Sequence, residues 1–194
     1  MNDVSARKAT IRHAALARRD AIPETRRIEA AMALAEHVEA LEALPGAVVS
    51  AYWPIRSEID PRPLLFALHE RGCRMALPAI VDDAIVFREL VRAGELAPAG
   101  FGTMAPPADA PVLAPDLVLL PLAAFDGSGN RLGYGRGHYD AAIRALSEGG
   151  HAPRLVGLAY EAQQVEAIPA EPHDVRLDAV LSEGGLRPMS PANA

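Results

Sequence analysis

Residues 116–140, with the sequence DLVLLPLAAFDGSGNRLGYGRGHYD, decide the fold because they join three kinds of structure in one short stretch. Asp116–Pro121 is a continuous apolar run, which is the pattern of a strand covered on both faces of a sheet. Phe125–Gly137 contains five glycines and is predicted to be a loop. A short helix is predicted for Tyr139–Leu146. A buried strand, a glycine-rich loop and a helix in this order are typical of an α/β protein.

The segments on both sides of this stretch continue the alternation of strands and helices. Helices are predicted at residues 5–21, 23–44 and 61–71, and strands at residues 47–53, 73–77, 84–90, 154–160 and 178–181. Residues 94–115 are predicted to be a long loop, and the tail from Gly184 is predicted to be frayed.

These patterns predict the fold class and the place of the site. We expect one α/β domain over residues 1–194, with its core at about residues 5–182 and a flexible tail at 184–194. Its sheet should be open, mostly parallel and flanked by helices, in a Rossmann-like arrangement. In such sheets ligands bind beyond the carboxyl ends of the strands, so the loop after Pro121 lies where a site is expected.

The composition excludes several classes of function. Half of the 194 residues are apolar, and the formal net charge of −6 argues against a general nucleic-acid binder. Cys73 is the only cysteine, which excludes an intrachain disulfide and a thiolate metal cluster. The N-terminus lacks the apolar segment of a signal peptide, and the apolar run Leu117–Phe125 is much shorter than the roughly 20 residues of a membrane span. We therefore predict a cytoplasmic monomer with neither nucleic-acid nor membrane partners.

Glycine alternates with larger residues between Gly133 and Gly137. Because glycine tolerates positive φ, such a loop can turn successive backbone N–H groups toward one anion. A helix beginning near Tyr139 adds the positive end of its dipole, and Arg131 and Arg136 add guanidinium groups that grip phosphate oxygens in pairs. The spacing matches neither the Walker A loop nor the dinucleotide fingerprint. From the residues alone, a phosphate site and a mobile turn with solvated arginines both remain open.

Residues 120–140 resemble the signature of the 5-formyltetrahydrofolate cyclo-ligase family, which ends in Gly-x-Arg-Leu-Gly-x-Gly-x-Gly-x-Tyr-Asp. Further matching blocks occur in the family's order, and the resemblance covers most of residues 5–182. These blocks are Lys8 with Arg12, Tyr52–Pro54 with Glu58 and Asp60, Gly157–Tyr160 with Gln163 and Pro169, and His173-Asp174 with Leu177-Asp178. The expected open sheet also resembles the sugar-phosphate isomerase and CoA-transferase folds.

The resemblance implies an ATP- and Mg²⁺-dependent enzyme whose small-molecule substrates are 5-formyltetrahydrofolate and ATP. The products would be 5,10-methenyltetrahydrofolate, ADP and phosphate. Phosphoryl transfer to the formyl oxygen makes that oxygen a good leaving group, and N10 then closes the ring. Such a transfer depends on positioning and charge stabilisation rather than on a protein nucleophile. Two alternatives stay open: a non-catalytic folate or nucleotide binder on this scaffold, and an isomerase- or transferase-like enzyme that would not need ATP.

The resemblance also implies roles for individual residues. The predicted catalytic residues are Arg131 and Arg136. The predicted ATP-binding residues are Lys8, Arg12, Arg131, Leu132, Gly133, Tyr134, Gly135, Arg136, Gly137, His138 and Tyr139. The predicted folate-binding residues are Trp53, Glu58, Tyr134 and His138, and the predicted metal ligands are Asp140 and Asp174.

Several of these roles have a structural alternative: Glu58 could be a surface acid in a turn, and Trp53 could be buried in the core. Lys8 and Arg12 are four residues apart on one helix face, with Arg19 near the same stripe, and this face could contact phosphates or only water. Asp140 could hold a metal or satisfy free N–H groups at a helix start. Asp174 could hold a metal or belong to a turn.

Overall fold

The computed structural model describes residues 3–91, 96–99, 102–135 and 137–190. Within these ranges the helices are α1 Asp3–Asp20, α2 Glu24–Glu36, α3 Arg62–Glu70 and α4 His138–Glu148. The strands are β1 Val48–Ser50, β2 Arg74–Val81, β3 Ala84–Glu89, β4 Ala97–Pro98, β5 Met104–Ala105, β6 Leu117–Pro121, β7 Ala124–Phe125, β8 Arg131–Leu132, β9 Arg154–Leu158, β10 Ala179–Ser182 and β11 Gly185–Pro188.

Seven of the described strands form one sheet in the order β11-β10-β9-β6-β1-β2-β3. The five inner strands are parallel, and the two edge strands β3 and β11 are antiparallel to their neighbours. From β1 the chain first extends the sheet toward β3 and then returns to add β6 on the other side of β1. The strand order therefore reverses between β1 and β6, and such a reversal opens a crevice at the carboxyl ends of the two strands.

Both faces of the sheet are covered, as the apolar run of β6 requires. Leu117 and Leu119 pack with α2 and α3 on one face, whereas Val118 and Leu120 pack with α4 on the other. Successive strand residues point to opposite faces, so a strand between two helical layers is apolar at every position. Burial of each leucine side chain contributes about 1.5–3 kcal/mol to the free energy of folding. The predicted single α/β domain with a mostly parallel open sheet is confirmed.

Several element bounds differ from the prediction. The strand predicted at residues 47–53 ends at Ser50, where the chain leaves the ladder toward Pro54, which has no N–H to donate. The strand predicted to end at residue 77 continues to Val81, because β2 and β3 form a hairpin. Its turn consists of Asp82 and Asp83, whose φ angles of 48° and 62° suit a tight hairpin turn.

The long helix predicted at residues 23–44 is also divided. It ends at Glu36, and a 3₁₀ turn follows at Val38–Leu41. In a 3₁₀ turn residues three apart lie on the same side, so Val38 and Leu41 are both buried in the core.

Two predictions of irregular structure are wrong in part. The tail predicted to be frayed from Gly184 contains β11, because the backbone of residues 185–188 pairs with β10 across a tight turn. The long loop predicted at residues 94–115 contains the antiparallel pair β4–β5 and a bridge from Val112 to Arg88. Residues 92–95, 100, 101 and 191–194 lie outside the described part of the chain.

Within the described residues, the helices are all too short or too polar to cross a lipid bilayer.

Candidate active site

A cavity of about 950 Å³ opens at the carboxyl ends of β1 and β6, where the strand order reverses. Its volume lies within the usual range for small-molecule sites. Three parts of the chain supply most of its wall: the start of α1, the loop after β1, and the glycine-rich loop that leads into α4. Ala99, Thr103 and Met104 from the β4–β5 segment also line it.

The glycine-rich loop starts from a short hairpin, β7–β8, most of which lies in the stretch predicted to be a loop. The buried Asp126 closes this hairpin, because its carboxylate accepts hydrogen bonds from the backbone N–H groups of Ser128, Asn130 and Ile168 and from the Asn130 side chain. Gln163 fixes the end of β6 from the other side by donating to the carbonyls of Leu122 and Ala123. The loop therefore leaves the sheet from a rigid base.

Glycine is required at two positions before α4. Gly135 and Gly137 have φ angles of 92° and 68°, which L side chains rarely adopt. Gly137 is the N-cap of α4, so the first N–H groups of that helix lack intrahelical partners and point out of its end. His138 is the first residue of α4 and lies on the cavity wall with Tyr139. Arg136 lies outside the described residues, so its two predicted roles stay predictions.

Arg131 is held on the cavity wall by two contacts. Its guanidinium donates to Oδ1 of Asp140 at 2.9 Å and to the carbonyl of Val175. The Val175 N–H in turn donates to the same Asp140 oxygen at 3.1 Å. Burial lowers the pKa of Arg131, and the neighbouring Asp140 carboxylate opposes this change. Asp140 thus binds an arginine and a backbone N–H, although the sequence proposed it as a metal ligand.

Lys8 reaches a small acidic group that also lines the cavity. Its ammonium lies 2.8 Å from Glu171 and 2.6 Å from Asp174. The ligand atoms of Glu171, His173 and Asp174 lie within 4.8 Å of one another. The carboxylate oxygens are the hard ligands that Mg²⁺ prefers, so Glu171 and Asp174 fit this ion, while the imidazole suits it less well. Partial burial alone would raise the pKa of Asp174, but hydrogen bonds donated by Lys8 and by the Glu171 N–H lower it overall.

Arg12 lies one helical turn after Lys8 and lines the same cavity. Its Nε donates to the carbonyl of Gly133 at 2.7 Å. Its Nη2 atom lies 3.7 Å from the point where a Cβ on Gly135 would be. The guanidinium is therefore packed against the glycine-rich loop itself.

Glu58 and Tyr134 connect the loop after β1 to the glycine-rich loop. The Tyr134 hydroxyl donates to Oε1 of Glu58 at 2.7 Å, and the Ile55 N–H donates to Oε2 at 2.9 Å. Burial raises the pKa of Glu58 above its ordinary value, although these two hydrogen bonds and nearby arginines oppose the rise. Burial and the adjacent Glu58 raise the pKa of Tyr134 to about 12.

Trp53 lines the cavity near the same loop. The guanidinium of Arg62 lies 5.3 Å from the centroid of the Trp53 ring, at cation–π distance, and Asp60 holds it there with hydrogen bonds of 2.5 to 2.9 Å. Trp53 is thus fixed by its neighbours while part of its surface faces the cavity.

The structure brings almost the whole predicted set to one cavity. Apart from Arg136, every predicted site residue lines it: Lys8, Arg12, Trp53, Glu58, Arg131, Leu132, Gly133, Tyr134, Gly135, Gly137, His138, Tyr139, Asp140 and Asp174. The sequence analysis missed Tyr52, Arg56 and Glu171, which line it as well. Arg56 and Glu171 are polar residues two or three positions from predicted ones, and this proximity was the available signal.

The expected place of Arg19 is wrong. Its side chain is 1% exposed and does not line the cavity with Lys8 and Arg12. Its guanidinium donates to Ser57 Oγ at 3.0 Å and to the Tyr134 hydroxyl at 2.9 Å. The helix stripe alone could not reveal this, because the packing of α1 decides which of its arginines become buried.

Fold and cavity together define a single-domain α/β protein of the open-sheet class, with its candidate site at the carboxyl ends of the parallel strands. The chain belongs to the 5-formyltetrahydrofolate cyclo-ligase family, whose family model matches residues 4–183. This match confirms the resemblance carried by residues 120–140.

Relatives of similar length support the same membership. A 5-formyltetrahydrofolate cyclo-ligase of Mycolicibacterium smegmatis is 35% identical over 90% of this chain and 93% of its own length. One of Haemophilus influenzae is 31% identical over 69% of this chain and 74% of its own length. The NMR structure of 5,10-methenyltetrahydrofolate synthetase from Aquifex aeolicus superposes with a TM-score of 0.76 and 27% identity, covering 96% of this chain and 95% of that one.

Proposed function

We propose that this chain converts 5-formyltetrahydrofolate to 5,10-methenyltetrahydrofolate and consumes ATP in the same reaction, releasing ADP and phosphate. One observation carries the proposal: a glycine-rich loop flanked by Lys8, Arg12 and Arg131 shares a single cavity with the buried carboxylate of Glu58. The first half of this arrangement suits polyphosphate, and the second suits the hydrogen-bond donors of a pterin.

The cations and the loop would bind and orient the ATP phosphates. Arg131 is pre-positioned by Asp140 and Val175, so its guanidinium would not need to reorganise during the reaction. The free N–H groups at the start of α4 would add a positive dipole end. In the reaction the formyl oxygen attacks the γ-phosphorus and ADP departs. N10 then attacks the formyl carbon and loses its proton, and phosphate leaves.

Glu58 would orient the folate. Its carboxylate can accept two parallel hydrogen bonds from the amino and ring N–H groups of a pterin. Trp53 would offer a flat apolar surface to the ring system. His138 and Tyr134 line the same cavity, and the predicted contacts of both with either ligand stay predictions.

Mg²⁺ fits the carboxylates of Glu171 and Asp174, and it would neutralise negative charge on the ATP phosphates. Such a cation would compete with the ammonium of Lys8 for these carboxylates, and Lys8 would then be available to a phosphate oxygen. Asp140 remains a predicted ligand as well, although one of its oxygens already accepts from Arg131 and Val175. The cytoplasmic location and the monomeric state stay predictions.

The test is a direct assay. Purified protein with 5-formyltetrahydrofolate, ATP and Mg²⁺ should produce the near-ultraviolet absorbance of the methenyl product, with one ADP released per product. Binding of both ligands without ADP release would instead support the non-catalytic alternative. Turnover of another substrate without ATP would support the isomerase- or transferase-like one.

A further inference from the structure

Arg19 is a buried cation that the proposed chemistry does not use. Its side chain is 1% exposed, so taking its charge out of water is costly unless partners compensate for it. The nearest carboxylate, Asp20, lies 4.0 Å away and is 61% exposed. The guanidinium donates to two hydroxyl groups, those of Ser57 and Tyr134, and the Ser57 hydroxyl donates in turn to Asp20. A cation buried in this way suggests a task beyond the packing of α1.

The hydroxyl of Tyr134 relays this charge to Glu58. It accepts a hydrogen bond from Arg19 at 2.9 Å and donates one to Glu58 at 2.7 Å. A hydroxyl has one proton, so accepting from Arg19 directs that proton toward the carboxylate. Arg19, Tyr134 and Glu58 thus form a chain of cation, hydroxyl and anion that joins α1, the glycine-rich loop and the loop after β1.

We propose that Arg19 is a positioning residue for folate recognition: through Tyr134 it keeps the Glu58 carboxylate ionised and oriented toward the cavity. This inference rests on the proposed function, because it assumes that Glu58 accepts hydrogen bonds from the folate. A neutral carboxyl group would present a donor where the pterin also presents donors, so binding requires the ionised form.

The charged surroundings of Glu58 agree with this assignment. Burial is the largest influence and leaves the pKa of Glu58 above its ordinary value, while the hydrogen bonds from Ile55 N–H and Tyr134 and the charges of Arg19 and Arg56 limit this rise. The charge of Glu58 also interacts with the phenols of Tyr52 and Tyr139. Burial raises the pKa values of both phenols, so both stay neutral near pH 7. Removal of Arg19 should therefore let burial raise the Glu58 pKa further.

The experiment measures the Kd of 5-formyltetrahydrofolate by calorimetry, without ATP, between about pH 5 and pH 8. Wild type is compared with Arg19→Met and Tyr134→Phe. Both variants should bind about tenfold more weakly at pH 7, as expected for one charge-assisted hydrogen bond. As the pH is lowered, both variants should lose folate binding at a higher pH than wild type does. The reason is that Glu58 is protonated at a higher pH in the variants. Any contribution of His138 is common to all proteins compared, so the difference reports on Glu58.

Matched controls separate positioning from structural damage. Arg7→Met makes the same change at an exposed position of α1 and should leave both Kd and its pH midpoint unchanged. Arg19→Lys keeps the charge, so the pH at which half of the folate binding is lost should be close to the wild-type value. If Arg19→Met fails to fold in thermal denaturation, Tyr134→Phe still decides, because its side chain is partly exposed and the change removes only a hydroxyl group.

The outcomes distinguish this inference from the proposed function. A wild-type protein that does not bind the folate would overturn the proposed function. If the wild type binds and both variants lose the same factor at every pH, or lose nothing, the role of Arg19 is refuted while the function stands.

Discussion

The guanidinium of Arg131 and the carboxylate of Asp140 lie 2.9 Å apart, and both also bind the backbone of Val175. Arg131 begins β8 and Asp140 lies in the first turn of α4, so the pair closes the glycine-rich loop at its base. Val175 follows the acidic residues Glu171 and Asp174, and the same contact therefore ties two walls of the cavity together.

Replacement of Arg131 by Ala should lower kcat by at least about 100-fold, since it removes a pre-positioned cation from developing phosphate charge. Steady-state kinetics with saturating ATP and folate would measure this effect. Arg144→Ala is the matched control, because Arg144 lies on α4 and binds the carbonyl of His173 from the exposed side. A folded Arg131→Ala protein that retains near wild-type kcat would contradict the assignment.

Glu58→Gln and Glu171→Gln should separate the two halves of the cavity. Glu58→Gln should raise the KM for folate about tenfold, because an amide cannot accept two parallel hydrogen bonds, and should change the KM for ATP much less.

Glu171→Gln should instead raise the Mg²⁺ concentration needed for half-maximal rate. Titrations of each ligand in both variants give the comparison. Equal effects of the two changes on the folate KM would show that the halves are not distinct.

The ion pair between Lys8 and Asp174 should make the stability of the ligand-free protein depend on pH. The pKa of Asp174 is lowered in the folded chain, so its contribution is present above its unfolded value and is lost as the pH falls through the folded one. Lys8→Met should therefore cost up to about 1 kcal/mol near pH 7 and progressively less in acid. Urea unfolding at a series of pH values measures it. A cost that persists unchanged in acid would exclude the pair as its cause.

Gly157 lies in β9, where the side chains of Leu122 and Leu177 pack closely against its backbone. A Cβ at this position would lie 2.4 Å from Leu122 Cδ2 and 2.8 Å from Leu177 Cδ1. Gly157→Ala should therefore destabilise the protein by about 1–3 kcal/mol through overpacking. Gly127→Ala is the control, because a Cβ there meets no described atom within 4 Å, and its effect should be within about 0.5 kcal/mol. Chemical denaturation gives both values, and similar losses in the two variants would rule out the crowding.

The sequence predicts the central elements because their patterns are local. The apolar runs at Asp116–Pro121 and Arg154–Tyr160 predict buried strands, and β6 and β9 lie within them. The glycine-rich loop is also predictable, because glycine readily adopts the positive φ found at Gly135 and Gly137. Trp53, Glu58 and the glycine-rich loop converge because the segments that carry them follow β1 and β6 at one edge of the sheet, whereas Lys8, Arg12 and Asp174 reach the site from α1 and a distant loop.

The remaining features depend on partners far away in the chain. Residues 185–188 carry no strong strand pattern, and they become β11 because β10 offers an antiparallel edge. From the sequence, Arg19 resembles the other surface arginines of α1. It is buried because α1 packs against the loop that contains Ser57. Glu171 enters the site only because residues 171–174 fold back toward Lys8, 163 positions earlier in the chain.

The place of β1 between β2 and β6 has a consequence for synthesis of the chain. When a ribosome has made only residues up to the end of β3, one side of β1 has its neighbour and the other has none, because β6 has not yet been translated. A polypeptide truncated there would expose unpaired backbone groups beside apolar side chains, which is the kind of edge that promotes aggregation. The open side of β1 is therefore closed only after β6 has been translated, and the cavity is complete only after Asp174 has been translated.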